Sequence, residues 1–109
     1  MPYDEDLELR ILSIVDDWPG TAAKKMFGGV CHLLRGNMFC GVWRDFLILR
    51  LGEEGARSTL EQPGTKPFDV TGRPMKGWVM VEKGRLGADE ALRAWLEQAR
   101  DFAVGLPPK

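Results

Sequence analysis

A chain of 109 residues with 44% hydrophobic and 28% charged side chains has the make-up of one globular domain, which excludes a disordered tail or a fibrous repeat. Its formal net charge of -1 supplies no overall pull toward nucleic acid or an anionic membrane, so direct nucleic-acid binding is not expected. No apolar run approaches the roughly 18 residues of a spanning helix, and the acidic start Met1-Pro2-Tyr3-Asp4-Glu5-Asp6 lacks the basic and apolar regions of a secretory leader, so a cytoplasmic protein without membrane contact is expected.

In chain order, residues 4 to 17 predict a helix capped by Asp4, with Leu7, Ile11, Ile14, Val15 and Trp18 on one stripe and Pro19-Gly20 as the stop. Met26 to Arg35 reads as a strand whose Gly28-Gly29 pair suggests a bulge or bend. A two-residue turn at Gly36-Asn37 leads into a strand over Met38 to Arg44, and Arg44-Asp45 turns into another over Phe46 to Leu51. A short helix lies between Glu53 and Gln62, ended by Pro63. Residues 68 to 71 and 75 to 82 predict a further strand pair joined through Thr71-Gly72-Arg73-Pro74. The last helix runs from about Asp89 to Val104, with Leu92, Trp95, Leu96, Ala99, Phe102, Ala103 and Leu106 on its stripe and Gly105 and Pro107 beyond it. The sum is a single two-layer α+β domain over residues 1–109 with an antiparallel sheet, in the order α-β-β-β-α-β-β-α.

Side chains alternate along a strand, so the assumed turns sort them into two faces. Cys31, Leu33, Met38, Cys40, Val42, Leu47, Leu49 and Leu51 form an aliphatic face that belongs beneath the helices. Val30, His32, Leu34, Phe39, Gly41, Trp43, Phe46, Ile48 and Arg50 form the other, joined by Lys76, Trp78 and Met80. In a two-layer domain this second face has no helical cover. Phe39, Trp43, Phe46, Ile48 and Trp78 are therefore the candidate partner-binding residues, for a protein partner or a second copy in a homodimer, since large aromatics and arginine favour interfaces. The alternative is a curled sheet or a crossing helix that buries them internally.

No constellation for catalysis or metal binding is found. Cys31 and Cys40 fall as diagonal neighbours about 7–8 Å apart, too far for a disulfide, and read as small buried hydrophobes. His32 is the one histidine, and its neighbour Cys31 points to the opposite face, which separates any Cys-His pair. Ser13 and Ser58 sit on predicted helices outside any nucleophile elbow, and Gly28-Gly29 lacks the spacing of a phosphate loop. No enzyme activity, cofactor or metal is expected.

Three stretches stand out: Lys24-Lys25-Met26-Phe27-Gly28-Gly29, Gly36-Asn37-Met38-Phe39-Cys40-Gly41-Val42, and Thr71-Gly72-Arg73-Pro74-Met75-Lys76-Gly77-Trp78-Val79. In this order and spacing they resemble the N-terminal domain of the TfoX/Sxy competence regulators, and Leu106-Pro107-Pro108-Lys109 is similar to stand-alone members. The resemblance implies a fold related to the secretion chaperones and a regulatory role. Longer members regulate natural competence with the cyclic-AMP receptor protein and carry a second, C-terminal domain of helix-hairpin-helix character. It supplies no catalytic residue.

The cations within these motifs suggest a second candidate site. If the turn at 71–74 lies near the start of the first strand, Lys24, Lys25, Arg73 and Lys76 converge on an anion such as a phosphate, a carboxylate or an acidic partner. The alternative is solvated surface charge or a salt bridge to Asp69.

Overall fold

The computed structural model describes residues 3–26, 28–69 and 75–108. Helix α1 (Glu5–Val15) is followed by four strands, β1 (Thr21–Met26), β2 (Gly29–Leu34), β3 (Asn37–Trp43) and β4 (Phe46–Arg50). Then come α2 (Gly52–Thr59), β5 (Thr65–Pro67), β6 (Trp78–Glu82), a single 3₁₀ turn at Lys83–Arg85 and α3 (Asp89–Val104). All pairings within the six-stranded sheet are antiparallel, and the strand order is β1-β2-β3-β4-β6-β5. The predicted α+β architecture is therefore present, with one more strand than expected.

The two long helices form where apolar periodicity places them, α1 with a side-chain cap and α3 without one. The Asp4 carboxylate accepts a hydrogen bond from the Leu7 amide at 2.9 Å, closing the first turn of α1. It also takes the Lys83 ammonium at 2.6 Å, and the Asp4 amide donates to the Arg44 carbonyl at 2.7 Å. One residue thus starts the helix and ties it to both the 3₁₀ turn and the β3–β4 corner. Lys83 and the Leu7 amide hold the Asp4 carboxyl below the usual carboxylate range. Leu7, Ile11, Ile14, Val15 and Trp18 are buried, as their spacing predicts, and so are Leu92, Leu96, Ala99 and Ala103 of α3.

The extra strand, β1, is Thr-Ala-Ala-Lys-Lys-Met. It carries little β propensity of its own and forms by pairing along the whole of β2, from Thr21 opposite Leu34 to Met26 opposite Gly29. Its lysines suit an edge, where charge discourages pairing with another chain. The opposite edge, β5, is three residues long and ends in Pro67, which blunts it in the same way. β5 lies earlier than the expected 68–71. The Thr71–Pro74 turn lies outside the described residues.

Two local features reset the register. The β2–β3 turn is Arg35-Gly36, both with positive φ (52° and 86°), the conformation that a tight hairpin matched to strand twist requires. Between the pairs His32–Cys40 and Leu33–Met38, β3 carries one extra residue, Phe39. That bulge puts Phe39 and Cys40 on the same side and reverses part of the expected faces. Val30, His32, Leu34 and Phe39 lie under the helices, whereas Cys31, Leu33 and Met38 lie on the other face. Phe39 is therefore core, with its ring centroid 6.2 Å from that of Trp18. The β3–β4 corner at Arg44-Asp45 falls where expected, so the assignment of β4 stands.

The Lys76-Gly77-Trp78 stretch anchors the far side of the sheet. The Gly77 carbonyl accepts hydrogen bonds from the amides of Leu51 (2.8 Å) and Gly52 (3.2 Å). Gly77 has φ +85°, and a Cβ there would lie 3.3 Å from the Gly52 backbone. Only glycine meets both conditions without strain.

Candidate functional site

Helices α1 and α3 pack on one face of the sheet. The other face carries, in paired rows, Trp43 with Phe46 and Glu82; Cys31, Gly41, Ile48 and Met80; and Arg50 with Trp78. The middle row ends in Lys24 on β1 and Lys66 on β5. Ile48 and Met80 are 3% and 4% exposed, covered by their neighbours, while Trp43, Phe46 and Trp78 are half-buried. Gly41 keeps the centre low: a Cβ there would meet the Val30 carbonyl oxygen at 2.5 Å and the Met38 methyl at 3.0 Å.

The rings on this face are paired and carry cations. Trp43 and Phe46 stack with centroids 6.4 Å apart, and Phe68 leans on Trp78 at 5.9 Å. The Arg44 guanidinium lies 4.5 Å from the Trp43 ring centroid, the Lys66 ammonium 5.0 Å from Phe46, and the Arg50 guanidinium 5.3 Å from Trp78. These distances fall within the range of cation–π attraction. The result is an apolar floor with positive charge above it at Arg44 and Lys66, and at its margin Arg50, whose guanidinium also lies 5.7 Å from the Phe102 ring of α3. Of the five aromatic and aliphatic candidates from the sequence, Trp43, Phe46, Ile48 and Trp78 share this face. Phe39 does not, because the bulge turns it into the core. Arg44 and Lys66 are not among the candidates from the sequence: Arg44 sits in a turn over the ring of its neighbour Trp43, and no local pattern points an edge-strand lysine to a ring two strands away.

The expected basic cluster is not assembled among the described residues. Lys24 and Lys25 are consecutive on β1 and so point to opposite faces. Lys76 lies in the turn before β6, four strands away from β1, which is about 19 Å. Arg73 lies outside the described residues. Lys76 instead borders a shallow groove of about 350 Å³ between α2 and the start of β6, with Arg57, Leu60, Met75 and Trp78 among its walls. Leu60 and Met75 are two of the exposed large apolar residues of the chain.

His32, expected at the rim of the open face, is 1% exposed beneath α1. Its Nε2 has no hydrogen-bond partner, and the nearest carboxylate oxygen, on Glu8, is 3.8 Å away. Burial lowers its pKa to about 4, so the imidazole is neutral at pH 7. Cys40 lies opposite His32 on the helix side, and Cys31 lies on the open face. The cysteines are therefore on opposite sides of the sheet rather than diagonal on one face, and both are free. Burial raises both thiols above their ordinary pKa, which keeps them protonated and poorly nucleophilic. Among the described residues, no group of three or more His, Cys, Asp or Glu side chains is placed to hold a metal ion, and no helix is long and apolar enough to cross a membrane.

A family model described as the TfoX N-terminal domain matches residues 13–103, a span that includes the whole sheet and nearly all of α3. No curated protein and no solved structure shows significant similarity to the chain.

Proposed function

The chain belongs to the TfoX N-terminal domain family, and from that premise we propose that it is a non-enzymatic regulatory module, which acts in the cytoplasm by docking a protein partner on the open face of its sheet. One observation carries this reading. The face without helical cover holds Trp43, Phe46 and Trp78, each with a cation against its ring. Trp and Arg are the residue types that dominate binding energy when a partner removes them from water. Family membership supports a part in transcription regulation resembling that of the competence regulators.

The test is to replace the chromosomal copy with Trp43→Lys and, separately, with Lys66→Glu, and to compare transcript profiles with those of a deletion strain. Lys66 is exposed, so its substitution leaves the fold intact and reads the surface alone. Both variants are expected to reproduce the deletion profile. Profiles that match the parent, with both proteins folded and at parental levels, overturn the reading.

The groove beside α2 favours a second reading, capture of a small anion by Arg57 and Lys76 over an apolar floor. Titration with nucleotides, inorganic phosphate and short oligonucleotides at low salt tests it. Saturable binding lost in Lys76→Glu supports the reading, and no saturable binding removes it. Binding that falls steeply with salt would mark nucleic acid.

A further inference from the structure

The outer surface of α1 carries the complement of the open sheet face. Residues at i, i+4, i+7 and i+11 share one side of a helix, and on α1 and its C-cap these are Glu5, Leu9, Leu12 and Asp16. Leu9 is 63% and Leu12 38% exposed. Asp6 and Asp17 are also exposed alongside. None of these four acids joins an ion pair among the described residues, whereas Asp4 pairs with Lys83 and Arg10 with Asp89. The stripe is therefore two bare leucines bracketed by uncompensated carboxylates.

The open face has the opposite pattern. Its apolar floor is bracketed by Arg44, Arg50, Lys66 and Lys24, which also join no ion pair among the described residues, with Glu82 as its one acid within the paired rows. Dimensions agree as well. Glu5 and Asp16 are about 16 Å apart along the helix. β4 runs roughly 13 Å from Phe46 to Arg50, with Arg44 just beyond its start. An α1 helix laid along β4 brings its two terminal acids to the two arginines and its leucines onto Trp43, Phe46 and Trp78.

We propose that the open sheet face of one copy takes the acidic leucine stripe of α1 from a second copy, so that the chain associates head to tail. This rests on the reading of the open face as a docking surface and names its occupant. Because α1 lies on the helix side of the sheet, the two patches are on opposite sides of one molecule. The contact is heterologous: each added copy presents a fresh face, and association continues unless the rotation closes a ring. Opposite charge sets the orientation and makes the contact weaken with salt.

Two half-blocked variants test the geometry. The double variant Leu9→Lys, Leu12→Lys loses the stripe and keeps the sheet face; Arg44→Glu, Lys66→Glu loses the sheet face and keeps the stripe. All four positions are exposed, and far-ultraviolet circular dichroism with thermal melting verifies the fold of each. In sedimentation equilibrium from micromolar to near-millimolar concentration, the parent is expected to grow past a dimer, with apparent affinity at least tenfold weaker in 0.5 M salt. Each variant alone is expected to stay monomeric, and an equimolar mixture to form a 1:1 dimer and nothing larger. A parent that is monomeric throughout, a mixture that stays monomeric, or a dimer that survives loss of the stripe overturns the proposal. None of these results touches the reading of the face as a site for another protein, because the transcript profiles of Trp43→Lys and Lys66→Glu decide that independently.

Discussion

The two faces of the sheet are equally rich in large apolar side chains and differ in kind. Beneath the helices lie Val42, Leu47, Leu49, Val79 and Val81, none more than 1% exposed. On the open side lie Trp43, Phe46 and Trp78, half-buried and each touched by a cation. Branched aliphatics have no polar handle and are stable only when covered, as even Ile48 on the open side is at 3% exposed. Aromatic rings tolerate a partly wet surface because a cation or a partner can occupy their faces. The division therefore separates residues committed to folding from residues available for association.

The sharpest way to break that comparison is to truncate one ring on each side. Phe39→Ala opens a cavity in a fully buried site and is expected to cost about 3–5 kcal/mol. Trp43→Ala removes a half-exposed ring and is expected to cost roughly 1–2 kcal/mol. Urea denaturation of the two variants reads the difference. Equal losses would mean that the open face is as much core as the covered one.

Acid provides the next test, through a residue that should matter on the covered face alone. His32 titrates near 6.5 when unfolded, and burial brings it to about 4 in the fold. Between those values the unfolded chain binds the proton and the native chain does not. Stability is therefore complete above pH 6.5 and declines as pH falls toward 4, by up to about 3 kcal/mol. Chemical denaturation across pH 7 to 4 should show this slope in the parent. His32→Leu should flatten it with little loss at pH 7, because the replacement also removes an unpartnered nitrogen.

That His32 belongs to the covered face was not readable from the chain, and the reason is local. Helices α1 and α3 were legible because an apolar stripe is a long, redundant pattern, and a cap such as Asp4 or a stop such as Gly105 marks its ends. The Arg44-Asp45 corner was also legible, so Trp43, Phe46, Ile48 and Arg50 fell on the right face. In β2 and β3 the alternation is too apolar on both sides to announce a bulge, and a single extra residue at Phe39 moved Val30, His32 and Leu34 across the sheet. Edge strand β1 has no alternation at all; Thr-Ala-Ala-Lys-Lys becomes a strand because β2 offers it a free edge. The cation cluster depends on long-range topology that no local pattern encodes: it needs the turn before the last strand to lie near the first strand, and the order β1-β2-β3-β4-β6-β5 puts Lys76 four strands from Lys24.

A smaller effect lies at the seam between the faces, where Asp4 joins α1 to the β3–β4 corner. Asp4→Ala removes the cap and the Lys83 contact together and is expected to cost about 1–2 kcal/mol. Asp4→Asn keeps an oxygen for the Leu7 amide and should restore most of that, because an ion pair with a partner as exposed as Lys83, at 39%, contributes little. The carboxyl's lowered pKa adds stability that is present above the ordinary carboxylate value and is lost as pH falls through the lower, native one. That loss lies below the His32 window, so one acid titration separates the two groups.

The smallest expected change is at Arg44, and it isolates what a cation on the open face contributes to folding rather than to binding. Arg44 holds φ at 56°, a conformation that costs an L side chain roughly 1 kcal/mol and glycine almost nothing. Its guanidinium gains about 0.5–1 kcal/mol from the Trp43 ring. Arg44→Ala keeps the strained backbone and loses the ring contact, so it should destabilise by about that amount. Arg44→Gly loses the same contact and relieves the backbone, so it should be close to neutral. If both variants are neutral in denaturation yet abolish association, the arginine is retained at a strained position for its surface charge alone, which is the strongest form of the division between the two faces. If both are strongly destabilising, the cation is a structural lid over Trp43, and the open face owes part of its chemistry to folding.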